Sequence, residues 1–281
     1  MITVTRKIQF SAAHFYYLET LSPEENQQRF YACSNRHGHG HNYTAYVSVA
    51  GPMDPETGMV VNLKDLKEVL HEEIVVPMDH KNLNHQIPFF QTHIPTLENI
   101  AHYIWSRLTP RMTPYGIQLT RLQVVENDDL YVEYEGTPEA LPMLYLTRRY
   151  DFCASHRLYN PAFSDEKNWE VFRECNNPNG HGHNYELEVT IAGTPDPQTG
   201  MVIDLVALDT LLQKHLIQKV DHKHLNLDVD FLHEVIPTAE NIVYAFWQEL
   251  APAMPQPARL HRLRLLESKN NSAEYQGALP V

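Results

Sequence analysis

The chain repeats itself. A shift of 142 positions lays Phe10-Ser-Ala-Ala-His14 on Phe152-Cys-Ala-Ser-His156, Cys33 on Cys175, and His39-Gly-His-Asn-Tyr43 on His181-Gly-His-Asn-Tyr185. The same shift lays Thr57-Gly-Met-Val60 on Thr199-Gly-Met-Val202, Asp79-His-Lys81 on Asp221-His-Lys223, and Glu98-Asn99 on Glu240-Asn241. One residue then drops out, so that Glu126 meets Glu267. The 281 residues could by length be one large domain or two, and the repeat decides for two. Their expected extents are 1–137 and 143–281, with 138–142 as a linker inside the turn-rich stretch Gly136-Thr-Pro-Glu-Ala-Leu-Pro142.

Each copy reads as the same run of elements. Ile2 to Phe10 alternates in type, and Tyr43 to Val49 is rich in aromatic and β-branched residues, so both are predicted strands. Asp54-Pro-Glu-Thr-Gly58 is a turn. A helix follows with Leu63, Leu66, Val69, Leu70 and Ile74 on its apolar face, then a second with Thr96 as N-cap and Ile100, Ile104 and Leu108 on one side. Two strands close the unit, Gln118 to Val125 and Tyr131 to Tyr134. The order ββααββ predicts an α+β unit, an antiparallel sheet with helices on one face. Its unpaired edges call for closure against other copies, hence a homo-oligomer.

The charge of −13 and the lack of a Lys/Arg run argue against nucleic acid as a partner. No apolar stretch approaches the ~20 residues of a membrane span, and no apolar signal core opens the chain. Three cysteines suit free thiols in a reducing, cytoplasmic setting better than a disulfide framework. The 17 histidines, clustered beside acidic and amide residues, point to metal or acid–base chemistry.

The clearest cluster is His-Gly-His. Residues i and i+2 of a strand share a side, so His39 with His41, and His181 with His183, can reach one ion. His14 and His156 end the first strand of each copy and complete a three-His set with an open fourth position, as catalytic zinc uses. His37 shares the strand parity, but it aligns with Asn179 and is not expected to ligate. Cys33 and Cys175 stand six residues before the first His of each pair; a thiol beside zinc is a candidate base, the alternatives being a fourth ligand or a small buried hydrophobe. Asp79-His80 and Asp221-His222 follow the first helix, where a carboxylate can fix an imidazole tautomer. Glu126 and Glu267 end apolar strands and could accept a planar N–H/N–H₂ edge.

Together these residues resemble the 6-pyruvoyltetrahydropterin synthase family, and the second copy is the closer match. Ser155-His-Arg-Leu-Tyr159, Cys175-Asn-Asn-Pro-Asn-Gly-His-Gly-His-Asn-Tyr185, Asp196-Pro-Gln-Thr-Gly-Met-Val202, Asp221-His-Lys223 and Thr238-Ala-Glu-Asn241 follow the family's motifs in order. The first copy departs at Arg36-His37 and at Phe15-Tyr-Tyr-Leu18, which bears on substrate preference and not on the metal site. The resemblance implies zinc on His14, His39 and His41 and on His156, His181 and His183, one ion per repeat. It implies catalytic roles for Cys33, Asp79, His80, Cys175, Asp221 and His222, and a pterin held by Glu126 or Glu267 near Thr96 and Thr238. The implied reaction takes dihydroneopterin triphosphate to 6-pyruvoyltetrahydropterin without a redox cofactor. An alternative is 6-carboxytetrahydropterin synthase, whose cysteine commonly stands closer to the His pair than Cys175 does to His181. An alternative of another class is a pterin- or metal-binding scaffold with one inactive copy. Family members close three units into a ring and stack two rings, so a two-unit chain suits a homotrimer, with a dimer or tetramer as the other arrangement.

Overall fold

The computed structural model describes residues 1–137 and 140–277. Two compact units emerge: the first comprises Met1–Leu146 together with Gly193–Val202, the second Thr147–Ala192 together with Ile203 onward. The first unit is therefore not made from the first repeat alone.

In the first unit β1 (Ile2–His14) pairs antiparallel along its whole length with β2 (His39–Gly51), from Ile2 opposite Gly51 to His14 opposite His39. Phe10, Ala12 and His14 on β1 and Tyr43, Ala45, Val47 and Val49 on β2 face inward, the period-2 pattern of a sheet with one dry face. The strand thus runs four residues past the expected Phe10, because the pairing with His39–Tyr43 holds it extended to His14. Between the two strands lies an unexpected helix, α1 (Pro23–Phe30), started by a capping box in which Ser22 and Glu25 satisfy each other's backbone amides.

Helix α2 (Leu63–Leu70) continues through a π-helical turn at His71–Val75 into Val76–Met78. It buries Leu66, Val69, Leu70, Ile74 and Met78; Leu63, expected on this face, is 45% exposed at the first helical position, before the face has turned toward the sheet. The next two residues after the helix are the Asp79-His80 pair, and then β3 (Lys81–Asn82) lies parallel on the outer edge of β1. Helix α3 (Leu97–Met112) begins as expected, with Thr96 Oγ1 accepting from the Asn99 amide at 3.3 Å. It covers the sheet with Ile100, Ile104 and Leu108, all fully buried. Strands β4 (Gln118–Asn127) and β5 (Leu130–Thr137) complete the order β5-β4-β2-β1.

The second unit follows the same plan. β6 (Ala140–His156) leads to α4 (Asp165–Phe172), β7 (His181–Ala192), α5 (Leu205–Leu212) and a π-helical turn at Gln213–Ile217. Then come β8 (Lys223–His224), α6 (Ala239–Leu250), β9 (Arg259–Ser268) and β10 (Asn271–Tyr275), with strand order β10-β9-β7-β6. Of the expected linker 138–142, residues 138–139 lie outside the described residues, while Ala140–Pro142 already belong to β6. The fold of each unit is the expected α+β arrangement with an open sheet. Among the described residues of the first unit, the two residues of β3 alone pair with the outer edge of β1.

Candidate active site

The antiparallel register fixes the histidines. His14 stands opposite His39 and Ala12 opposite His41, so the end of β1 and the start of β2 bring three imidazoles onto the inward face. Tyr43, fully buried two residues further along β2, forms the floor under His14. His14 Nδ1 donates to the carbonyl of Pro95 at 3.0 Å, which leaves Nε2 as a bare acceptor, and that atom lies 3.2 Å from His39 Nε2. The second repeat reproduces this: His156 Nδ1 donates to Pro237 O at 2.8 Å, and its Nε2 lies 3.1 Å from His181 Nε2. Within each triad all the ligating nitrogens fall within 4.8 Å of one another.

Such a cluster is costly without a cation. Nε2 of His41 and Nε2 of His183 are buried without a hydrogen-bond partner. Burial first, then the neighbouring imidazoles, lowers His14 to about 3. His156 is lowered to about 4, mainly by burial. Rings held neutral, with lone pairs converging and one tautomer locked from behind by a carbonyl, are the donor set a transition-metal ion needs. His37 is exposed and takes no part in the triad.

In the first repeat the thiol sits beside the triad. Cys33 Sγ is 4.0 Å from His39 Nε2, and Cys33 is half-buried against the cluster of Tyr16, Phe30 and Ile94. Burial, and second the nearby Glu126 carboxylate, raises the Cys33 pKa; burial and then Glu267 do the same for Cys175. The carboxylates close the other side: Glu126 Oε1 lies 3.7 Å from His41 Nε2, and Glu267 Oε1 lies 3.7 Å from His156 Nε2 and 3.8 Å from His183 Nε2. In the second unit Cys175, Thr238 and Glu267 line one open pocket of about 540 Å³. Thr96, by contrast, is buried, and its hydroxyl also donates to Gly200 O at 3.4 Å.

The Asp–His pairs lie where β3 joins β1 and where β8 joins β6, His80 lining one open pocket with His41 and His222 another with His183. Asp79 accepts from the Ser11 amide at 2.8 Å and holds His80 Nδ1 at 2.7 Å; Asp221 accepts from Cys153 at 2.9 Å and holds His222 Nδ1 at 2.9 Å. These bonds, above all the backbone amide, depress both Asp pKa values. The imidazoles point their Nε2 atoms outward, with 84% and 80% of their side chains exposed. Both histidines adopt φ 56°, a left-handed conformation unusual for a residue with a β-carbon.

Two features escaped the sequence reading. Glu98, visible only as a repeated position, is 4% exposed, with Oε1 accepting from the Val202 amide at 2.9 Å, and burial raises it to about 7. The carbonyls of Pro95 and Pro237 orient the first histidine of each triad. The sequence signal for both was the recurrence of Pro-Thr-x-Glu-Asn in the two copies.

The profile of the family described as 6-pyruvoyl tetrahydropterin synthase matches residues 3–137 and again residues 145–278. The chain belongs to the 6-pyruvoyl tetrahydropterin synthase family. It is similar to the 6-pyruvoyl tetrahydrobiopterin synthase of Homo sapiens, 47% identical over 132 residues, which span 47% of this chain and 90% of the relative. It is also similar to the 6-carboxy-5,6,7,8-tetrahydropterin synthase of Rickettsia typhi, 30% identical over 46% of this chain and 96% of that one. The structure of Caenorhabditis elegans 6-pyruvoyl tetrahydropterin synthase aligns with 49% of this chain and 97% of its own, at 36% identity and a TM-score of 0.47. A whole relative thus corresponds to about half of this family member, as a tandem duplication requires.

Proposed function

We propose that this family member is a zinc-dependent carbon–oxygen lyase that converts 7,8-dihydroneopterin triphosphate to 6-pyruvoyltetrahydropterin with loss of triphosphate. The observation that carries this reading is the convergence, twice, of three neutral imidazoles, a thiol and a carboxylate on one spot. The nitrogen separations of 3.1–3.2 Å match the roughly 3.3 Å edge of a tetrahedral site with Zn–N near 2.05 Å, which supports one zinc per repeat. When bound, zinc supplies the Lewis acidity that polarises the substrate's side-chain hydroxyls and acidifies the adjacent C–H.

The chain's own residues then divide the work. Cys33 or Cys175, lying on one side of the triad, takes the acidified proton as thiolate; a dication nearby opposes the upward push of burial. Asp79 or Asp221 keeps His80 or His222 with Nδ1 protonated and Nε2 free, the state in which an imidazole accepts and returns protons while triphosphate departs. Glu126 or Glu267 accepts the planar N–H/N–H₂ edge of the pterin, with Thr238 on the wall of the same pocket in the second repeat. Glu98 offers a second buried carboxylate for that edge in the first. The sheet edge at β1, which among the described residues β3 covers at only two positions, closes against a further copy, so this family member is a homo-oligomer whose working site draws its Asp–His pair from a neighbouring unit. Three chains would weigh about 98 kDa, three times the 32.5 kDa chain, and light scattering separates them from dimers and tetramers. Among the described residues no helix is long and apolar enough to cross a membrane, and the three free cysteines suit a cytoplasmic setting.

Mass spectrometry of the product from dihydroneopterin triphosphate tests the reading. A pyruvoyl side chain with one triphosphate released is the expected outcome. A carboxylate product would transfer the protein to the 6-carboxy branch, and bound but unconverted pterin would make it a scaffold.

A further inference from the structure

Two segments of nearly identical sequence have opposite surroundings. Asp54-Pro-Glu-Thr-Gly-Met-Val60 and Asp196-Pro-Gln-Thr-Gly-Met-Val202 differ at one position. They share a fold: Asp54 Oδ1 and Asp196 Oδ1 each accept from two following amides and a threonine hydroxyl, and Gly58 and Gly200 adopt φ 71° and 75°. The second of these loops is packed within the first unit. There Thr199 and Val202 are buried, and Met201 packs on Tyr16, Phe30 and Ile94. Gly200 lies so close to Asn99 that a β-carbon would overlap its side chain, and Val202 donates its amide to Glu98 at 2.9 Å.

Among the described residues the loop of the first repeat has no such cover. Thr57, Gly58 and Met59 are exposed, Met59 by 48%, and a β-carbon built on Gly58 meets nothing. The matching receptor surface in the second unit is equally bare. Leu158, Phe172 and Ile236, equivalent to the buried Tyr16, Phe30 and Ile94, are only half-buried, while Glu240 and Asn241, equivalent to Glu98 and Asn99, are exposed. Leu158, Thr238 and Glu240 also line the pocket that holds Cys175 and Glu267.

We infer that the exposed Asp54–Val60 loop of one chain plugs into the Leu158/Phe172/Ile236/Glu240 surface of a second copy of this chain, with Val60 N–H donating to Glu240. The chain itself displays the contact once, between the same loop sequence and an equivalent receptor. The remaining plug and socket are complementary in apolar surface and in amide against carboxylate. The consequence is an asymmetry between the two sites. The first is covered within the single chain, whereas the second acquires its wall only on association. This rests on the repeat's packing and does not depend on which reaction the sites perform.

The test uses the full chain. Gly58→Asn keeps the left-handed turn, which asparagine tolerates, but puts a side chain where the socket leaves room for none. Sedimentation equilibrium should show the variant's dissociation constant raised at least about tenfold, with the circular-dichroism spectrum of the chain unchanged. Glu240→Lys, on an exposed helix position that cannot misfold the turn, should weaken association likewise. In the wild-type protein, hydrogen exchange at the Val60 amide should be protected at high concentration and lose that protection on dilution. Unaltered association of both variants, or a Val60 amide equally fast at all concentrations, overturns the inference.

Discussion

The two repeats hold the same proposed site residues in the same register, yet one is enclosed and the other open. Around the first triad the apolar cluster of Tyr16, Phe30 and Ile94 is buried and Glu98 is sequestered. Around the second, the equivalents Leu158, Phe172, Ile236 and Glu240 are partly or fully in solvent. The difference is not in the motif that opens the helix, since Thr-x-Glu-Asn stands there in both copies. It lies in what covers them. Identical local chemistry can therefore give two sites with different titration, access and dependence on assembly.

The largest expected effect separates the metals. His183→Ala should lower zinc from two ions per chain to one, because the remaining two imidazoles cannot hold a tetrahedral site, while His41→Ala removes the other; elemental analysis of metal-replete protein reads this directly. Two ions left in either variant would break the equivalence of the triads.

Next come the thiols. Cys175→Ala and Cys33→Ala should each retain both zincs and each abolish the turnover of its own repeat by about 10²–10⁴-fold, the usual contribution of a positioned base. Comparing the residual rates of the two single variants with the double variant measures how the activity is divided. Loss of zinc in either one would make that cysteine a ligand.

A smaller effect concerns Glu98. Its folded pKa of about 7 lies above the ordinary 4.5, so the folded chain binds the extra proton, and stability is full below about 4.5 and falls as pH rises to about 7. That slope corresponds to about 3 kcal/mol at most. Glu98→Gln should flatten it and stabilise the chain at pH 8 in urea denaturation. A wild-type slope retained in Glu98→Gln would mean that another group carries it.

The smallest effect is expected at the loops where the repeats diverge. Arg36 stacks 3.7 Å from the Tyr17 ring centroid and pairs with Glu19, but both charged side chains are largely exposed. Arg36→Pro, which copies Pro178, should leave Tm within error while testing whether substrate preference differs between the repeats.

Much of this was legible in sequence because the relevant signals are local. The His-Gly-His spacing, the Thr96 cap and the alternation of β2 all survive in the structure with the same residues. Leu63 fell off the predicted face because a helix's first turn can precede its contact with the sheet. Glu98 looked like an ordinary first-turn acid, and only a contact with Val202, 104 positions away, buries it. Likewise nothing in the motif Asp-Pro-x-Thr-Gly-Met-Val distinguishes a covered copy from a bare one. Periodicity reports the face a residue presents and is silent about what arrives there from elsewhere in the chain.

The left-handed backbone at His80 and His222 has an evolutionary consequence. Each is pinned there by a hydrogen bond from its own backbone N–H to the carbonyl of Ser11 or Cys153, at 2.6 Å in both. Glycine would adopt that conformation without strain, so selection for robustness alone should have replaced both histidines, with a gain of about 1 kcal/mol at each. That the imidazole occupies the position in both copies marks a place where durability and chemistry pull in opposite directions. A laboratory lineage selected only for heat resistance should drift toward glycine there, and on the proposed mechanism lose proton transfer as it does so.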